Sequence, residues 1–295
     1  DPGAEAGRRM LGEGRTQGFP GDPGVRGRIA HGVFPVGLWS GPRPRRSQMR
    51  AGPLHSSRVI SLSRAIEGFA AYVADERRFG HVDMVRSLRS PGSTLKPFLY
   101  GMALDDGLIH SESLLQDVPR RYGDYRPGNF SMGFSGPVSA SSALALSLNL
   151  PAVQLLEAYG PKRFAAQLRM AGMPLILPPL AEPNLSLILG GAGSRLEDLV
   201  GGYAAFARGG NSARVRLQPQ EPLVERRLLS PGAAWIIRRI LSGQARPDRD
   251  PHAELVQRPQ LAWKTGTSYG FRDAWSIGVG PRYLIGVWIG RPDGT

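Results

Sequence analysis

The chain has 295 residues, 41% of them apolar and none of them cysteine, with a formal net charge of +13. That length suits one large domain or two ordinary ones, and the absence of cysteine excludes disulfides, a thiolate nucleophile and Cys-based zinc sites. The charge raises nucleic acid as a partner, but the basic residues are nearly all Arg and dispersed, with no basic helix carrying interleaved aromatics, so none is expected.

Residues 1–54 hold twelve Gly, seven Pro and nine Arg against four acidic residues. Such a composition does not build a core. Residues 1–64 are therefore read as a low-complexity arm, disordered or aberrant, and 65–295 as one domain. The stretch 55–74, "HSSRVISLSRAIEGFAAYVA", is β-branched at first and then Ala-rich, and stays open between strand and helix. A helix is predicted at "FLYGMALDDG" (98–107), closed by a Gly, and a long ordered loop at 117–137, which is rich in Gly, Pro and aromatics. Helices follow at "VSASSALALSLN" from 138, at "PAVQLLEAYG" and at 161–172, the last two with a Pro in the first turn and a Gly at the close. Two more are predicted at 195–210 and 230–243. The period then changes: 260–268, 273–280 and 283–290 read as three strands, the last two joined by a turn at Pro281-Arg282. Helices in the middle and strands at the end suggest an α/β (α+β) domain with an antiparallel sheet flanked by helices. No apolar run reaches the roughly 18 residues of a membrane span, and no signal peptide opens the sequence. Starting on Asp1 and stopping at Thr295 just after a strong strand, the chain is expected to be a fragment.

The chemistry gathers around two of only three lysines. In "RSPGSTLKPF" (89–98), Pro97 fits a helix only in its first turn, so the helix begins near Ser93 or Thr94. That places Ser93 at the positive end of the helix dipole, with Lys96 on the same face one turn later. Gly92 leaves room for a substrate backbone to approach. Taken alone, Ser93 reads first as a plain N-cap, a position that Ser favours. A lysine deprotonates serine only when it is neutral itself, which calls for burial or a neighbouring cation. Lys264, in "WKTGTS" (263–268), supplies that cation if the fold joins the two. Beside it, Thr265 and Thr267 offer hydroxyls to a carboxylate, and Gly266 lets a ligand lie along the strand. Between them, "SLNLP" (147–151) sets Ser147 and Asn149 at a helix junction. Ser147 suits proton relay and Asn149 amide binding, though Asn149 also reads as a cap for the next helix. The five histidines lie singly, without metal-ligand spacing, so no metal is expected.

Ser-x-x-Lys, Ser-x-Asn and Lys-Thr-Gly in this order resemble the motif set of penicillin-binding proteins and class A β-lactamases. "RSPGSTLKPFLYGMAL", "YRPGNFSMGFSGPVSASSALALSLNLPAV" and "KTGTSYGFRDAWSIGVG" resemble the transpeptidase domain of class A penicillin-binding proteins. The stretches "RFGHVDMVRSLRSPGSTLKPFLYGMALDDGLIH" and "DVPRRYGDYRPGNF" look like the penicillin-binding protein 1C branch. The resemblance covers about residues 77–295. It implies a serine β-lactamase or penicillin-binding transpeptidase-like fold without cofactors. It also implies a D,D-transpeptidase in which Ser93 is acylated by a peptidoglycan stem peptide with Lys96 as base. Ser147 then relays a proton, Asn149 binds substrate, and Lys264, Thr265, Gly266 and Thr267 line the binding strand. The Ser93 and Thr267 N–H groups form the oxyanion hole. Stem peptides and lipid-linked precursors are the implied partners, β-lactams the inhibitors, and the periplasm the location, with an inner-membrane anchor in the full-length protein.

Two other readings stand beside this one. The first is a carboxypeptidase or β-lactamase-like hydrolase, for which Glu182-Pro183-Asn184-Leu185 is a superficial match to a deacylating segment. The second is a catalytically dead fragment. The strand pair that opens such domains is not evident before residue 70, so the N-terminal strands and the C-terminal end are expected to be incomplete.

Overall fold

The computed structural model of the chain describes residues 57–63, 69–73, 83–123, 125–129, 133–216, 220–244 and 261–290, all within the unit Arg46–Thr295. The arm before residue 57 lies outside these residues, as do His31, His55, His81 and His252.

Two strands come first, β1 (Ser57–Ser63) and β2 (Phe69–Val73). A 3-10 turn over Gly92–Leu95 then runs straight into helix α1 (Lys96–Asp105), with Pro97 in its first turn as its missing N–H requires. A short antiparallel pair follows, β3 (Leu114–Asp117) with β4 (Gly136–Ser139). The Ser139 hydroxyl caps α2 (Ala140–Ala145) by accepting from the Ser142 N–H. Helices α3 (Asn149–Tyr159), α4 (Pro161–Met170) and α5 (Leu196–Tyr203) come next, then the pair β5 (Asn211–Ala213) and β6 (Glu225–Arg227). Helix α6 (Pro231–Ser242) starts on a Ser230 cap with Pro231 at its first position. Strands β7 (Ala262–Thr267), β8 (Asp273–Val279) and β9 (Tyr283–Gly290) close the described chain.

The main sheet has the order β2-β1-β9-β8-β7 and is antiparallel throughout. Helices pack on it, α5 against β9 and α6 against β7, and α1 is enclosed by α2, α3 and α6. Every residue of α1 from Lys96 to Ala103 is buried, which makes it the central rod of the core rather than an amphipathic surface helix. Its start is held from behind: the Tyr203 hydroxyl donates to the Thr94 carbonyl at 2.7 Å, and Tyr203 and Phe206 pack on Phe98 with ring centroids 5.0 and 5.4 Å away.

Three expectations change. The arm was read to residue 64 and the N-terminal strands as incomplete, yet β1 occupies 57–63. It pairs over its whole length with β9, from Ser57 opposite Ile289 to Ser63 opposite Tyr283. Together β1 and β2 form the strand pair thought missing. The helix expected from 138 starts at Ala140, because Val138 lies in β4 opposite Leu115. Ser93 caps nothing: the 3-10 turn begins after Pro91 and α1 after Leu95, neither with a side-chain cap.

Candidate active site

Ser93 sits in the 3-10 turn, half-buried, and its hydroxyl makes no hydrogen bond among the described residues. The turn lies hard against β7. At Gly92 φ is +53°, and a side chain there would overlap the Thr267 carbonyl and stand 2.8 Å from the Thr267 nitrogen. At Gly266 an added Cβ would meet the Pro91 carbonyl at 2.5 Å and the Thr94 nitrogen at 3.0 Å. Both glycines were read as room for a ligand. They bring two protein backbones together, so that Ser93 and Thr267 line the same groove, and Gly266 itself stays in its lining.

Lys96 and Lys264 lie beneath that groove, 0% and 1% exposed. Lys96 Nζ donates to the Ser147 carbonyl at 2.7 Å and to Asn149 Oδ1 at 2.7 Å. Lys264 Nζ donates to the Ser147 hydroxyl at 2.7 Å and to the Thr265 carbonyl at 2.9 Å. One residue thus faces two lysines, its carbonyl turned to the first and its hydroxyl to the second. Ser147 does so in the left-handed region, at φ 58°, a strain of about 1 kcal/mol for a residue with a side chain. Asn149 is the first residue of α3 and not its cap, which is Leu148. Its amide is held at both ends, Nδ2 donating to the Gly128 carbonyl at 2.6 Å.

Burial, and after it the Lys264 ammonium, holds Lys96 well below the ordinary lysine pKa. Burial brings Lys264 down to about 8. The unfolded chain therefore carries more protons than the folded one between about 8 and the ordinary 10.5, and stability rises with pH across that window. For Lys264 the rise is roughly 3 kcal/mol in all, at about 1.4 kcal/mol per pH unit. Urea unfolding of wild type and Lys264→Met at about pH 7.5 and about pH 10 checks it, since the variant must lose this part of the gain.

A groove of about 760 Å³ opens above the lysines. Ser93, Ser147 and Asn149 line one part of it, and Thr265, Gly266 and Thr267 the other. Strand β7 is an edge of the sheet, so an extended ligand has a strand to lie along. Tyr269 and Phe271, 97% and 74% exposed, stand at the rim. Glu182 is not part of the lining: its carboxylate pairs with Lys162 at 2.6 Å on the surface. No carboxylate is among the described residues that line the groove. The far wall, with Tyr125, Gly128 and Asn129, was read only as an ordered loop. Its one local signal is an Asn set among Pro, Gly and aromatic residues, and nothing in that spacing says what the Asn meets.

The family description "Penicillin binding protein transpeptidase domain" matches residues 72–174. Over 221 residues, 75% of this chain, the sequence is 68% identical to penicillin-binding protein 1C of Escherichia coli (strain K12). The chain belongs to the penicillin-binding protein transpeptidase family. Penicillin-binding protein 1A of Clostridium acetobutylicum is 30% identical over 74% of the chain, so the homology extends across class A penicillin-binding proteins. The fold is theirs as well. The penicillin-binding protein PonA1 of Mycobacterium tuberculosis, solved in complex with penicillin V, superposes with a TM-score of 0.66 at 20% identity, covering 81% of this chain and 69% of that one. Penicillin-binding protein 1A of Haemophilus influenzae gives 0.66 at 22% identity, covering 81% of this chain and 44% of that one. The chain spans 28% of the Escherichia coli protein's length and 30% of the Clostridium protein's. No described helix is long and apolar enough to cross a membrane.

Proposed function

We propose that this penicillin-binding transpeptidase domain, spanning β1 to β9, is a serine D,D-transpeptidase that cross-links peptidoglycan stem peptides. One observation carries the reading. A neutral lysine has two N–H groups and one lone pair. The Ser147 carbonyl and Asn149 Oδ1 take both N–H groups of Lys96, and burial favours the neutral amine, so the lone pair is left to accept a proton. The unbonded hydroxyl of Ser93, one helical turn away, is the proton source.

Lys96 takes that proton as Ser93 Oγ attacks the penultimate D-Ala carbonyl of a stem peptide. The new oxyanion faces the Ser93 and Thr267 N–H groups, whose backbones Gly92 keeps in contact. As the C–N bond breaks, the terminal D-Ala nitrogen takes the Ser147 hydroxyl proton, and Lys264, 2.7 Å from that hydroxyl, replaces it. The second Nδ2 hydrogen of Asn149 is free to bind a substrate amide carbonyl. Lys264, Thr265 and Thr267 receive the terminal carboxylate, and the donor strand lies along β7. An amine of a neighbouring stem peptide then attacks the ester. Its proton returns through Ser147 to Lys264 while Lys96 reprotonates Ser93, so the cycle closes without net proton change. A β-lactam entering the same groove acylates Ser93. The parent protein, on this reading, is an inner-membrane-anchored periplasmic peptidoglycan synthase that draws on lipid-linked precursors.

Hydrolysis is disfavoured by the lining of the groove, where no described carboxylate stands ready to activate water. A pentapeptide donor with a free-amine acceptor separates the readings. The expected outcome is D-Ala release matched by a new amide product. Release without that product supports a carboxypeptidase instead, and no release at all contradicts the proposal.

A further inference from the structure

Behind Asn149 a line of polar side chains runs from the groove into the interior. Asp117, at the end of β3, is fully buried, and among the described residues no cation pairs with it. Its Oδ1 accepts from Asn129 Nδ2 at 2.6 Å and its Oδ2 from the Ser135 N–H at 2.8 Å. Asn129 Oδ1 accepts from the Asn149 N–H at 2.9 Å, and Asn129 Nδ2 also reaches the Gly133 carbonyl at 3.0 Å. Asn149 then presents Oδ1 to Lys96 and Nδ2 to Gly128.

An unpaired buried carboxylate is costly, and an amide at 117 would still satisfy the Ser135 N–H. What the carboxylate adds is direction. The two ends of an asparagine amide are nearly alike in shape, so only its partners decide which way it points. Asp117 accepts at both of its oxygens, so Asn129 shows it Nδ2 and turns Oδ1 toward the Asn149 N–H. The Gly128 carbonyl likewise only accepts, so Asn149 must turn Oδ1 toward Lys96. With an amide at 117 whose oxygen keeps the Ser135 N–H, its NH2 faces Asn129 Nδ2, so two donors oppose each other unless Asn129 reverses, gives up the Gly133 carbonyl and sets a donor against the Asn149 N–H. The same contacts hold the loop that carries Gly128 and Asn129 as a wall of the groove.

We propose that Asp117 and Asn129 are positioning residues for acyl transfer, fixing the Asn149 amide and, through it, the aim of the Lys96 amine. This rests on the reading of Lys96 as the base. The test uses Asp117→Asn, Asn129→Asp and the double exchange, each in the full chain. One readout is the rate of labelling by a fluorescent penicillin. The other is the lysine side-chain NMR spectrum, which is simple because the chain holds only Lys96, Lys162 and Lys264. Lys162, exposed and paired with Glu182, serves as the internal reference.

Asp117→Asn is expected to slow labelling roughly ten- to a hundredfold, as loss of a supporting hydrogen-bond partner commonly does, and to move the Lys96 signal alone. Asn129→Asp sets two carboxylates face to face and is expected to lose at least as much. In the double exchange the amide at 117 donates to the carboxylate at 129, which still accepts from the Asn149 N–H. Direction is restored at the loss of the Gly133 contact, and labelling is expected within about tenfold of wild type. A merely structural role would lower the folding stability and leave the labelling rate per folded chain and the Lys96 signal where they are in wild type. Single variants with the wild-type rate and an unmoved Lys96 signal overturn the proposal, as does a double exchange no faster than the slower single. Should a single fail to fold, a folded double exchange decides by the same two readouts. A wild-type chain that takes no penicillin sinks the acyl-transfer reading instead, and the lysine spectra still test the hold on Lys96.

Discussion

Lys96→Met is expected to slow covalent capture of a penicillin by about a thousandfold, the scale of a lost general base, while the domain stays folded. Methionine matches the length and apolar body of lysine but has no lone pair basic enough to take the Ser93 proton. Two opposing effects govern its stability. The buried amine and its desolvation cost disappear, but the Ser147 carbonyl and Asn149 Oδ1 lose their donor. Each effect is about 1–3 kcal/mol, so the melting temperature should move by only a few degrees. Rate and melting together are the measurement. A large rate loss with a small melting shift assigns Lys96 to chemistry, whereas parallel losses would make it a core residue.

Gly92→Ala is expected to damage both stability and capture, by another route. At φ +53° an L residue costs roughly 1–2 kcal/mol, and forcing atoms into a closed space adds about as much again. The atoms it meets belong to the Thr267 backbone, which cannot rotate aside, so the turn and β7 must separate. That separation parts the two N–H groups proposed for the oxyanion. Gly107→Ala is the matched control: its φ is +68°, and an added Cβ there would meet nothing within 4 Å. It should show the backbone cost in thermal unfolding and leave penicillin labelling untouched.

The sequence reading went furthest where chemistry is written in short, local patterns. Ser93, Lys96, Ser147, Asn149 and Lys264 stand in three compact motifs, and Pro97 placed the start of the helical run near Ser93, where a 3-10 turn precedes α1. The three C-terminal strands were legible because their β-branched and aromatic alternation is strong. Strand β1 was not, since "SRVISLS" becomes a strand through its pairing with β9, far later in the chain and invisible to local composition. Asp117 and Asn129 escaped for a related reason. Their meaning lies in hydrogen bonds from Asp117 to Asn129 and Ser135 and from Asn129 to the start of α3, which no periodicity encodes. Gly92 and Gly266 were noticed, but the packing of the 92–95 turn on β7 that they allow was not legible, because a glycine announces a close approach without saying by what.

The central claim is that Ser93 is the nucleophile. Intact-mass analysis after incubation with penicillin V, followed by peptide mapping, tests it most directly. The account predicts one adduct per chain, carried on the peptide containing Ser93, persisting after free drug is removed and absent from Ser93→Ala. An unmodified chain, or an adduct that survives in Ser93→Ala, would contradict it.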